Sequence, residues 1–152
     1  MNAPDQTMRR LGEAIELIGR GERLTARQLL LELWEQVGPT GDPLHRCALA
    51  HHLADVQDEF VEELVWDQRA LQAADSITAE RAAETGVAGS VAGFYPSLHL
   101  NLGEDHRRLG DIDAARHHLA LGQQASAALG DDGYSTMIKA GLDRLAAHLT
   151  DE

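Results

Sequence analysis

The chain has 152 residues, a length that fits one domain over 1–152 and buries roughly two-thirds of the unfolded surface. Its formal net charge is −12, from 25 acidic and 13 basic residues. A chain this acidic repels phosphate, which excludes nucleic acid and anionic membrane as expected partners.

Aromatics make up only 4% of the residues, Ala and Leu abound, and β-branched alternation is scarce, so the expected class is all-α. Cys47 is the only cysteine, which rules out an intrachain disulfide and fits a reducing compartment. The opening MNAPDQTMRR lacks the apolar core of a signal peptide, and no run approaches a membrane span. A soluble, cytoplasmic protein is expected. Lys139 is the only lysine among the 13 basic residues, a bias that correlates with a GC-rich bacterial genome.

The first helix is expected from about Asp5 to Thr7 onward, with Leu11, Ile15 and Ile18 on one face and Gly19 and Gly21 as stops. Thr25-x-x-Gln28 has the form of a capping box opening a second helix. That helix carries Leu29, Leu30, Leu33 and Val37 and ends at Gly38-Pro39. Asp42-Pro43 restarts the chain, an N-cap followed by a proline at the first helical position. Leu49, Leu53 and Val56 then stripe a third helix. After Gln57-Asp58-Glu59, a fourth carries Phe60, Leu64, Val65 and Leu71, with small Ala70, Ala73 and Ala74 for close packing. Its other face holds Glu62, Glu63 and Asp67 and is expected to be solvated.

Residues 75–95 break the pattern. A short helix fits Thr78 to Glu84, whereas Gly86, Gly89 and Gly93 make a continuous helix costly at roughly 1 kcal/mol each. Because proline disfavours α geometry in the residue before it, the fifth helix is expected to start at Pro96. A sixth runs from about Asp113 to Leu129 with Asp111 as N-cap. The turn Asp131-Asp132-Gly133 leads to a last helix with Met137, Ile138, Leu142, Leu145, Ala146 and Leu149.

The stretch Pro96–Leu129 contains His99-x2-Leu102-Gly103-x2-His106, then Gly110-Asp111, then Ala115-x3-Leu119. This spacing resembles the tetratricopeptide repeat, with His in place of the signature Trp and Tyr and Leu in place of Phe. The interval from Gly21 to Ala26 repeats that from Gly110 to Ala115, which suggests a degenerate first repeat. The resemblance implies an α-solenoid of about three antiparallel helix pairs plus a C-terminal capping helix. It also implies a non-catalytic module that binds a peptide or helix of a partner protein in a concave groove. The groove positions carried over from it are His51, His52 and Asp55 on the third helix, and Leu100, Asn101, Glu104, Arg107 and Arg108 on the fifth. The partner implied is another protein, a second copy of the chain included. The alternative is a regulatory or sensor subunit that takes a small ligand in the groove and acts through a partner.

Chemistry has weaker support. His51-His52 and His117-His118 are adjacent pairs, and helix neighbours point about 100° apart. His99 and His106 share a face two turns apart, roughly 10 Å along the axis, and need a partner from another helix to chelate an ion. They occupy the repeat's two aromatic packing positions, so no metal and no cofactor is expected. Cys47 reads as a buried structural thiol, and Ser90 and Ser97 have no evident base, so no catalytic residue is assigned. Arg107 and Arg108 suit forked bonds to an acidic side chain, or pair with Glu104 three and four residues back. Phe94-Tyr95 fits a partner anchor or a staple for the following helix, and Trp34 and Trp66 are assigned to packing.

Overall fold

The computed structural model describes residues 3–78, 80, 90–130 and 132–150. Among them every regular element is helical: α1 (Ala3–Gly19), α2 (Arg23–Val37), α3 (Pro43–Asp55), α4 (Phe60–Asp75), α5 (Ser90–Arg108), α6 (Ile112–Ala125) and α7 (Gly133–Thr150). A single 3-10 turn, Ser126–Ala128, follows α6. The protein is therefore all-α. None of these helices is long and apolar enough to cross a membrane. Most of the stretch expected as a short helix over 78–84, and Gly86 and Gly89 beyond it, lie outside the described residues. The chain divides into two compact units, Met1–Ser76 and Ile77–Glu152.

In the first unit α1 pairs with α2, α3 with α4, and α3 also meets α2 and α1. The end of α1 is a Schellman closure: the Gly21 N–H bonds the Ile18 carbonyl and the Glu22 N–H bonds the Leu17 carbonyl. Gly21 takes the left-handed φ of 81° that this closure requires. The chain leaves it ready to enter α2 at Arg23, so Thr25 lies inside the helix and the expected capping box does not form. On α1 the core face is Leu11 and Ala14, with Ile18 half-buried. Ile15 is turned about 100° from Ala14 and is exposed, contrary to expectation.

The start of α3 is built as expected. An Asp42 oxygen accepts the Leu44 N–H at 3.0 Å, and Pro43 occupies the first turn, where its missing N–H leaves nothing unbonded. Leu49, Leu53 and Val56 are all fully buried. The carbonyls at the far end of α3 are claimed by α2: Arg27 donates to the Val56 carbonyl and Arg23 to that of Gln57. Both guanidinium groups also reach Asp58, at 3.3 and 3.4 Å. The small residues Ala70, Ala73 and Ala74 are buried on α4, whereas Phe60 at its start is 48% exposed. Asp67, expected on a solvated face, is buried. Trp34 and Trp66 meet edge to face at 5.1 Å, with Arg46 over one ring and Arg69 over the other.

The second unit rests on the α5–α6 pair, with α7 packed on both. The three residues Leu109–Asp111 connect the pair through another Schellman closure, in which the Asp111 N–H bonds the His106 carbonyl at 2.8 Å and that of Gly110 bonds Arg107 at 3.0 Å. Gly110 has φ of 85°. Asp111 then caps α6 by accepting the Ala114 N–H. Gly103 lets three helices approach: a Cβ added there would stand 2.6 Å from a Leu145 methyl of α7 and 3.5 Å from the Ala115 carbonyl of α6. Around this point Leu98, Leu102, Ala115, Ile138, Leu142, Leu145 and Leu149 are buried.

Three expectations need correction here. The fifth helix begins at Ser90 and carries Pro96 inside it. The proline's φ already suits a helix, and the one backbone bond it removes is outweighed by packing, since Pro96 is among the most fully buried side chains. The sixth helix ends at Ala125, short of the expected Leu129. Met137, counted in the apolar stripe of the last helix, is 58% exposed.

Candidate functional site

The residues expected to line a groove fall in both units, and each group is described in its own. On α3, His51 and His52 are half-buried with their rings edge-on at 5.2 Å, and Asp55 near the helix end is exposed. Burial pushes both imidazoles below the ordinary histidine range. For His52 the neighbouring His51 adds to this, while Asp55 opposes it.

On α5, Glu104 gathers both arginines. Arg107 donates to its two oxygens at 3.2 and 3.1 Å in a forked pair, and Arg108 approaches one of them at 3.5 Å. The spacings of three and four residues put all three heads on one face. Asn101, one turn earlier, is half-buried. Leu100 belongs elsewhere. Its methyl lies where a Cβ on Gly141 of α7 would come, 2.6 Å away, and it packs beside the core of Ala115, Leu145 and Leu149. The expectation that Leu100 lines a groove is corrected accordingly: α7 covers the face on which it stands.

The histidines of the second unit converge. His99 and His118 bring their Nδ1 atoms to 3.1 Å, with ring centres 5.3 Å apart and planes 26° from parallel. His106 lies on the other side of His118, its ring 5.4 Å away and within 4° of parallel. The Nδ1 of His106 faces an Asp111 oxygen at 3.8 Å. Tyr95 lies near-parallel to His99 at 6.1 Å, while His117 meets His118 edge-on and is exposed. Burial, followed by the neighbouring His99, His106 and His117, lowers the pKa of His118 to about 4. Sequence spacing identifies His99 and His106 as a same-face pair. What it misses is that α6 inserts His118 between them, a consequence of the short Gly110 turn that sets the register of the two helices.

Two other features bear on function. A cleft of about 540 Å³ opens in the first unit between α1, the end of α2 and the start of α3, and Arg10, Gln36, Asp42 and His45 are among its lining residues. Cys47 is 5% exposed, and burial pushes its thiol up to about 12, which leaves almost no thiolate for nucleophilic work at neutral pH. No family model, no curated protein and no solved structure matches this chain.

Proposed function

We propose that the chain is a non-catalytic interaction module of tetratricopeptide-like kind, engaging an acidic peptide or helix of a partner protein along the polar face of α5. The observation that carries this reading is the gathering of Arg107 and Arg108 on Glu104. Holding two guanidinium groups in one orientation removes part of the side-chain ordering cost that a binding arginine otherwise meets on association. The spacing from His99 to Leu119 and the pairing of α5 with α6 support the repeat-like reading on which this rests.

The test is capture from the native cell extract with immobilised protein, wild type against Arg107→Glu with Arg108→Glu. Both positions lie on the polar face of α5, so the helical circular dichroism is expected to persist while capture drops at least tenfold. Unchanged capture by a folded variant removes α5 as the site.

The cleft in the first unit favours a second reading, a sensor that binds a small polar ligand. Its volume falls in the range of ligand pockets, and Arg10 and Asp42 offer opposite charges on its walls. A screen of small zwitterions by thermal shift tests it: a shift abolished by Arg10→Ala supports this reading, and the absence of any shift counts against it.

A further inference from the structure

We propose that the stacked rings of His99, His118 and His106 form an acid-operated latch between α5 and α6, closed at neutral pH and opened when neighbouring imidazoles are protonated together. The order of the stack is what matters. Both outer rings, His99 and His106, come from α5, and α6 supplies His118 between them. The ring centres stand 5.3 and 5.4 Å apart, and Tyr95 lies beyond His99 at 6.1 Å. His118 thus meets a titratable imidazole on each of its faces.

Proton counting sets how much charge the stack can hold. The Nδ1 atoms of His99 and His118 are 3.1 Å apart, so one must donate and the other accept. Neutral rings of opposite tautomer satisfy this. So does the pair with one added proton, which enters the bare Nε2 of the donor and strengthens the bond. A second proton has only the accepting Nδ1 to enter. It sets two N–H groups head to head with no acceptor between them, and the contact parts. On the far side His106 adds like charge from 5.4 Å as it too takes up a proton in acid.

Nothing nearby offsets a charge on His118. Asp111, in the connecting turn, caps α6 through the Ala114 N–H with one oxygen and turns the other to His106 at 3.8 Å. His117, edge-on to His118 on the same helix, is a further cation in acid. From α7 the facing groups are apolar: Leu145 and the His118 Cβ both border Gly103, and Leu142 and the His99 Cβ both border Gly122. Among the described residues no carboxylate pairs with His118. Burial and the three neighbouring histidines therefore hold its pKa near 4. Opening frees the ring to take its proton at the ordinary 6.5, so acid favours the open form between those values. Both α7 contacts depend on the spacing of α5 and α6. Parting the latch loosens α7 and bares the apolar faces around Leu102, Leu142 and Leu145, which are buried when it is closed.

Amide hydrogen exchange by mass spectrometry on the full chain, corrected for the intrinsic pH dependence of exchange, reads this opening. From pH 6.5 to 4.5 the opening constant over residues 98–122 is expected to rise about ten- to thirtyfold. His118→Phe keeps a ring in the stack that takes no proton, and is expected to hold the rise below about threefold. His117→Gln is expected to respond as the wild type does. Should His118→Phe fail to fold, the imidazole NMR signals of the wild type provide the readout. Ring-nitrogen shifts must show opposite tautomers for His99 and His118 at neutral pH, and His118 must titrate in step with the loss of protection. A flat exchange response in the wild type overturns the proposal, as does an undiminished response in a folded His118→Phe variant. Like tautomers in the two rings, or an ordinary midpoint for His118, overturn it as well.

Discussion

The contact at Gly103 sets two effects of opposite sign against each other. Replacing a mid-helix glycine with alanine stabilises a helix by roughly 0.5–1 kcal/mol through backbone entropy. Here the new methyl would stand 2.6 Å from the Leu145 Cδ2, about an ångström inside ordinary carbon contact. The other neighbours, the Ala115 carbonyl at 3.5 Å and the His118 Cβ at 3.8 Å, are already at acceptable distances. Only Leu145 must give way, and it is fully buried among α7's neighbours. Overpacking of that kind costs about 1–3 kcal/mol, so Gly103→Ala is expected to destabilise by about 0–2 kcal/mol overall. Leu145→Ala alone should cost about 2–5 kcal/mol through lost burial and a cavity. In the double variant the added methyl enters part of the vacated volume, and the sign of the glycine change should reverse. Urea denaturation followed by far-ultraviolet circular dichroism gives the three free energies. A coupling of at least about 1 kcal/mol is expected, and additivity within about 0.5 kcal/mol would refute the geometry at this contact.

Cys47 should resist a chromogenic disulfide reagent at pH 8 in the folded protein and react at once in denaturant. With its pKa near 12 the thiolate fraction is about one in ten thousand, roughly a thousandfold below an exposed thiol, so native reaction within seconds contradicts the burial. His118 carries a pH dependence of definite sign. Its folded pKa of about 4 lies below the ordinary 6.5, so the unfolded chain binds more protons between those values. The contribution is fully present above about pH 6.5 and is lost as pH falls toward 4, with an upper limit of about 3 kcal/mol reduced by solvent screening of the half-buried ring. An imidazole NMR titration of His118 with a midpoint near 6.5 would contradict it.

The helices were legible where local chemistry alone sets them. Asp42-Pro43 announces the start of α3, and Asp111 that of α6, because a cap and a proline act within one turn of chain. The stripe Leu49, Leu53 and Val56 is buried as its period requires. Errors arise where tertiary contacts override local preference. Pro96 sits inside α5 because burial of its ring offsets the one backbone bond it removes, and Thr25-x-x-Gln28 has the residues of a cap but is pre-empted by the Gly21 closure four residues earlier. Of the candidate site, the Glu104–Arg107–Arg108 triad follows from spacing within one helix. Leu100 turned out to serve the core because whether α7 covers that face is a matter of three helices meeting. The convergence on His118 is illegible for the same reason: no periodicity on α5 says which residue of α6 lies opposite.

The pairing of Trp34 with Trp66 has a spectroscopic consequence. Both indoles belong to Met1–Ser76, while the chain's two tyrosines, Tyr95 and Tyr134, belong to Ile77–Glu152. Emission excited at the red edge of absorption thus comes from one half of the molecule alone, and tyrosine signals from the other. Nature has in effect dyed the halves differently, so a single unlabelled sample can reveal whether they melt in step or one after the other.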